Sequence, residues 1–308
     1  MSFSPNLKAK IKRWNFMLVY KAKSLSDALE LLEKYKEKKA KVINGGTDLV
    51  ISIRNKKITP DVLIDVSDIK ELKEIRTDNE YLYLGAGVTF TEIIENDLFN
   101  GFLSGFKKAC SLIGSPQIRN RGTVGGNIMN ASPAADSVPP LLCLDSMLVF
   151  ESVDGKREIS LSDFYKGKGR LPIRNNELLT AIYFKKPKNS LGFVKLGARK
   201  AMTISKVSLA SIIEVGEDSR IKNLKLASGA LARRPLREEE VEKFFIGKPF
   251  DDTVIEEGAY ILQQQVEKRL MEEPEEIRNR EMVFLPYKKR AILKLLREVL
   301  YESVGGKS

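Results

Sequence analysis

The sequence predicts a protein of mixed strands and helices, in two domains or in two domains plus a subdomain. Three observations carry that reading. The chain has 308 residues, too many for one simple layered unit. Its hydrophobic fraction is 43%, with 21 glycines and 12 prolines, as expected of a globular protein. Strand-like and helix-like runs are interspersed in the first half, whereas four strand-like runs gather after residue 178 and are followed by helical pattern.

Ser24 opens the segment 24–39, and Asp27 follows three residues on, a start resembling a capping box. Leu25, Ala28, Leu29 and Leu32 then mark one apolar helical face. Residues 40–45 read as a short strand running into Gly45-Gly46. The run 62–66, VLIDV after Pro60, fits a buried strand, and 82–90 reads as a strand that bends at its glycines. Helices are expected from Thr91 and over 103–114. Residues 144–165 read as a hairpin turning at Asp154-Gly155. The polar segment 166–177 is the expected domain boundary. Beyond it, 178–187, 192–199, 205–216 and 221–231 read as strands. Helices are expected near 238–246, 252–269 and 286–302, the last with Ile292, Leu295, Leu296 and Val299 on one face.

Composition excludes several function classes. No apolar window approaches 18 residues, so no membrane span is expected. The basic N-terminus lacks the apolar core of a secretory signal, which makes the cytoplasm the expected location. Cys110 and Cys143 are too few for a cysteine-ligated iron–sulfur cluster within this chain and read as core residues. Histidine is absent, which excludes a histidine-based triad or metal site. The net charge is +11, from 52 Lys+Arg against 41 Asp+Glu. The basic runs 8–13, 36–39 and 287–290 do not interleave aromatics as a nucleic-acid stacking platform does. They read as solvated surface or as a docking face for an acidic protein. The abundance of both charges resembles the Lys/Glu enrichment of thermophile proteins.

Residues 114–140, GSPQIRNRGTVGGNIMNASPAADSVPP, stand apart. Their charges are Arg119, Arg121 and Asp136, and four glycines and four prolines punctuate them. Within them RGTVGGNI (121–128) forms one glycine loop, and VINGGTDL (42–49) forms another some 80 positions earlier. Adjacent glycines permit positive φ and close approach to a ligand, and successive N–H groups in such a turn suit phosphate oxygens. A double glycine alone is usually just a turn. Neither loop carries the dinucleotide or P-loop fingerprint, and the G-x-G of LGAGVTF (84–90) reads as a structural bend.

The two motifs, INGGTDL (43–49) and the run from Gly114 to Ser146, resemble the FAD-binding medium subunit of molybdenum hydroxylases. That group includes aerobic carbon monoxide dehydrogenase, xanthine dehydrogenase, and aldehyde or glyceraldehyde oxidoreductases. The resemblance extends through residues 60–75, 84–93 and 195–210 and covers nearly the whole chain. It implies an FAD-binding domain of the vanillyl-alcohol-oxidase type, built from two α+β subdomains (1–59 and 60–168). A C-terminal domain (175–308), a small antiparallel sheet with helices, would cover the flavin. Val42, Ile43, Asn44, Gly45, Gly46, Thr47, Asp48 and Leu49 would form the first loop on the FAD diphosphate. Thr123, Val124, Gly125, Gly126 and Asn127 would form the second. Asp136 would hold ribose or ribityl hydroxyls, and Lys195 would lie near the isoalloxazine. Ile113 would pack near the flavin, and Leu178 or Leu179 would stand at the domain junction. Asn44 departs from the small residue of many relatives. Arg119 and Arg121 are open between ligand contact and scaffold.

The resemblance further implies partners: a large molybdopterin-binding subunit and a small subunit with two [2Fe–2S] clusters, as a heterotrimer able to dimerise. Electrons would pass through the flavin to NAD⁺, oxygen or a quinone. No catalytic residue or metal ligand is expected in this chain. A cofactor-free scaffold is the second reading, against which the intact loops, Asp136 and Lys195 speak. A free-standing flavin oxidase is the third, weakened by the missing histidine. Benzoyl-CoA-reductase-like relatives carry a cysteine-rich insertion, for which two distant cysteines leave no room.

Overall fold

Ser24 Oγ accepts from the Asp27 backbone N–H at 3.2 Å and so starts the first helix as its sequence foretells. The computed structural model describes residues 17–167, 169–199 and 203–305; the basic run 8–13 lies outside them. Strand β1 (Leu18–Lys21), helix α1 (Leu25–Lys34), strand β2 (Ala40–Ile43), helix α2 (Leu49–Arg54) and strand β3 (Val62–Asp65) form the first unit. Its sheet is parallel, in the order β1-β3-β2. The central strand β3 buries Val62, Leu63 and Ile64 in succession, the continuous apolar run of a strand covered on both faces. Edge strand β2 releases the chain at Asn44.

The second unit begins with β4 (Ile75–Thr77) and β5 (Tyr81–Gly85), followed by α3 (Phe90–Glu95) and α4 (Ser104–Ser111). Thr89 and Glu92 close a reciprocal capping box on α3. The stretch 114–140 is not bare loop: it holds three short helices, α5 (Pro116–Arg119), α6 (Val124–Asn130) and α7 (Val138–Cys143). Ser115 and Thr123 cap the first two, while prolines occupy the first turn of α5 and α7. The hairpin of β6 (Met147–Ser152) and β7 (Gly155–Ser160) turns at Asp154-Gly155 as expected and leads into α8 (Leu161–Tyr165).

Strand β8 (Leu178–Lys185) enters this second unit, between β5 and β6 in a sheet ordered β4-β5-β8-β6-β7. The expectation from sequence places it at the opening of the C-terminal domain. Leu179, Ile182 and Phe184 instead complete the core beneath Phe150 and Leu148, so the chain changes unit after β8 rather than within 166–177.

The last unit is an antiparallel sheet, β12-β11-β10-β9, made of β9 (Leu191–Gly197), β10 (Ser205–Val215), β11 (Ile221–Gly229) and β12 (Leu236–Arg237). Helices α9 (Glu239–Phe245), α10 (Asp252–Met271), α11 (Glu275–Met282) and α12 (Leu285–Val304) follow. Ile292, Leu295, Leu296 and Val299 of α12 join Leu209 and Leu226 of the sheet in one buried core. Glu302, near the end of α12, accepts from Lys108 Nζ of α4 at 2.6 Å and from the Phe193 N–H of β9 at 3.3 Å. The two larger units are thereby tied. No helix of the described residues is long and apolar enough to cross a membrane.

Candidate functional site

The first glycine turn leaves β2 with its backbone donors unspent. Val66 N–H donates to the Ile43 carbonyl and ends the ladder. Among the described residues none accepts from the N–H groups of Asn44, Gly45, Gly46, Thr47 and Asp48. Gly46 takes φ +73°, which a side chain would resist. Successive unpaired amides beside a left-handed residue are the backbone setting of an anion-binding nest. Val50 N–H donates back to the Gly46 carbonyl and begins α2.

The second turn is built differently. Val124 N–H donates to the Val88 carbonyl at 3.0 Å and Gly125 N–H to the Ala86 carbonyl at 2.9 Å. Gly126 N–H donates to Thr123 Oγ1 at 3.1 Å, and Asn127 N–H to the Thr123 carbonyl at 3.0 Å. The donors expected to line a second open cradle thus already have partners. Neither Gly125 nor Gly126 has positive φ. Gly125 is glycine because a Cβ there would lie 2.6 Å from the Ala86 Cβ. Gly126 is exposed, and a Cβ there would meet only Thr123 Oγ1 within 4 Å. One glycine seats the helix; the other leaves bare backbone facing outward.

The two turns abut. A Cβ on Gly45 would lie 1.9 Å from the Arg121 carbonyl oxygen and 3.2 Å from the Gly122 Cα. A cleft of about 470 Å³ opens beside this junction, lined by Asn44, Gly45, Lys73, Gly87, Thr89 and Arg121 among others. The G-x-G of residues 85–87, read from sequence as a bend, supports both turns. Its Ala86 carbonyl receives α6, and a Cβ on Gly87 would lie 2.8 Å from Asn44 Nδ2.

A second group of expected residues meets at the junction of α4, β9 and β10. Lys195 Nζ donates to Asp136 Oδ2 at 2.7 Å, to the Leu112 carbonyl at 2.9 Å and to the Thr203 carbonyl at 3.3 Å. The pair is buried, with 8% and 6% of the side chains exposed. Ser205 Oγ donates to Asp136 Oδ1 at 2.5 Å. Burial pushes the Asp136 carboxyl above its ordinary range, while the Lys195 charge and the hydrogen bonds from Lys195 and Ser205 pull it back; the net direction is up. Ser137 Oγ donates to Asn127 Oδ1 at 2.8 Å, which links this group to the second turn.

Ile113 is half-buried beside that group. Arg119 donates to the carbonyls of Ile113 and Gly114 at 3.1 and 3.2 Å and so braces the turn, whereas Arg121 is exposed on the cleft. Val42, Ile43 and Leu49 flank the first turn half-buried, and Val124 is fully buried beneath the second. The structure does not bring Leu179 to either group. It lies in the core opposite Phe150, 4% exposed, and Leu178 is buried in the core of the first unit. Ser205 was missed because a lone serine beginning a strand carries no sequence signal. The G-x-G at 85–87 did carry one, since glycines at a strand's end mark close backbone approach.

Residues 10–186 match the family described as the FAD binding domain in molybdopterin dehydrogenase. Residues 193–302 match the CO dehydrogenase flavoprotein C-terminal domain. The chain therefore belongs to the FAD-binding medium subunits of molybdenum hydroxylases and is an FAD-binding oxidoreductase subunit. It is 33% identical over 289 residues to the nicotinate dehydrogenase FAD-subunit of Eubacterium barkeri, covering 92% of this chain and 96% of that one. It is 30% identical to the glyceraldehyde dehydrogenase medium chain of Sulfolobus acidocaldarius, covering 80% and 86%. Its fold superposes on a chain of the cyanide-inactivated Cu,Mo-CO dehydrogenase with a TM-score of 0.81 and 25% identity, over 94% of this chain and 98% of that chain.

Proposed function

We propose that the chain holds FAD without a covalent link, with its diphosphate against the abutting glycine turns. On this reading it relays electrons from the [2Fe–2S] clusters of a small partner subunit to an external acceptor: NAD⁺, oxygen or a quinone. Substrate would be oxidised at the molybdopterin site of a large partner subunit. The observation that carries this reading is the contact of Gly45 with the Arg121 carbonyl and Gly122, which sets the turn bearing the unpaired amides 44–48 against the segment that leads into Gly126. A bound flavin supplies two-electron chemistry that can be divided into single-electron steps.

The chain's own residues bind, orient and set the local field. Amides 44–48 would donate to the diphosphate, and Gly126 would let it approach. Each Asp136 oxygen accepts one bond within the protein, and a carboxylate keeps further lone pairs for a ribose or ribityl hydroxyl. Lys195 has its three donors engaged, so it would act on the flavin through its charge and through the Leu112–Ile113 turn it holds. Leu179 would support the junction from the core rather than touch the cofactor.

The finer parts of the proposal are subdomains at 1–59 and 60–168, with β8 added to the second, a heterotrimer able to dimerise, and a cytoplasmic location. The experiment is reconstitution. The full chain incubated with FAD should take up one flavin and quench its fluorescence, and chains carrying molybdenum and iron–sulfur should co-purify from its source. A folded chain with no flavin affinity would end this reading.

A further inference from the structure

Asp136 precedes α7, on the FAD-binding side of the molecule, whereas Lys195 and Ser205 belong to the C-terminal sheet. Within that sheet Ser205 pairs with Gly197, two residues beyond Lys195. All three polar groups are withdrawn from solvent: Asp136 is 5% and Ser205 4% exposed, and the Lys195 side chain is 8% exposed. The carboxylate is therefore gripped from both oxygens by one sheet, while Lys195 also holds the Leu112 carbonyl at the end of α4. The titratable groups acting on Asp136 are Lys195 from β9 and the buried Cys110 thiol from α4, which burial keeps protonated.

We propose that Ser205 is a positioning residue for the cofactor pocket: its hydroxyl fixes the Asp136 carboxylate, which keeps Lys195 and the Leu112–Ile113 turn in place. This rests on the FAD reading above. A buried carboxylate stays ionised only while donors offset its desolvation. Without the Ser205 hydroxyl, Asp136 takes up a proton at higher pH and stops attracting the ammonium. A buried cation without its partner is strongly unfavourable, so Lys195 leaves and the turn it anchors loosens.

The test is FAD affinity of the full chain between about pH 5 and 8, read by flavin fluorescence with apoprotein melting alongside. For Ser205→Ala, the acid-side loss of affinity should begin about one pH unit higher than in the parent. That is about tenfold weaker binding at the low end, with convergence at high pH. Ser205→Thr should restore the parent profile. In an Asp136→Asn background, Ser205→Ala should add nothing. Ser205→Cys, similar in size but a weak donor, gives the same comparison should the alanine variant fail to fold. Parallel profiles, or a uniform loss at every pH, would overturn the proposal. A parent chain that binds no FAD at any pH contradicts the flavin reading itself and removes this inference with it.

Discussion

Gly125 and Gly126 are neighbours used in opposite ways. One is buried against Ala86, while the other presents bare backbone outward. Gly126→Val should reduce FAD affinity at least tenfold, roughly the worth of 1.4 kcal/mol, and lower the apoprotein's melting temperature only by the disturbance of the Thr123 cap, whose Oγ1 a Cβ would meet at 2.9 Å. Equal affinity would place the ligand elsewhere. Gly45→Ala is expected to do both kinds of damage, because its Cβ would overlap the Arg121 carbonyl at 1.9 Å. Lower melting temperature together with lost FAD uptake is the predicted result. At this scale the glycine pairs were legible, since a missing side chain announces itself in sequence. What was not legible was the reason for each one, which depends on what faces the empty position. Nor was the pairing of Asp136 with Lys195, whose partners are 59 positions apart.

Helix α6 shows how an element prepares a site. Its cap, Thr123, accepts from Gly126 N–H and fixes the bare face of that glycine. Thr123→Ala should destabilise the chain by about 1 kcal/mol and weaken FAD binding, which thermal melts and titrations read independently. The approach to β8 is held by Glu177, which accepts two bonds from Arg157, at 2.6 and 2.7 Å, and one from the Arg174 N–H at 2.8 Å. Burial pushes this carboxyl up, but Arg157 and Arg174 together outweigh it and hold it below its usual range. Its contribution to stability is thus present above the unfolded-state pKa and fades as pH falls through the lower folded-state value. Glu177→Gln should melt at lower temperature near neutral pH, with the gap to the parent narrowing below about pH 4. A gap constant with pH would show that the charge plays no part.

Elements were read unevenly from sequence. Helices α1, α10 and α12 run long enough for an apolar stripe to repeat, so their pattern is self-evident. Helices α5 to α7 have four, seven and six residues, too few for periodicity to show, and their glycines and prolines mimic loop. Strand β8 was recognised as a strand but assigned to the wrong sheet, because alternation records which faces are buried and not against which partner.

For the whole molecule, the +11 charge sits on a fold whose described residues include no group of acids, cysteines or histidines able to hold a metal ion. The surface carries many ion pairs, among them Arg297 with Asp252, Lys289 with Glu267, and Lys108 with Glu302. These are separate pairs rather than a network, and each contributes little to the melting temperature. Saturating FAD should raise that temperature, since a ligand at about a hundred times its dissociation constant adds about 2.7 kcal/mol.

In the proposed function, two turns far apart in sequence share one diphosphate. That sharing is tested most directly by titrating FAD into the purified full-length apoprotein and into Gly126→Val side by side. One flavin per parent chain and none for the variant is the predicted result, with both proteins folded before FAD is added. Undiminished uptake by the variant, or none by the parent, would contradict it.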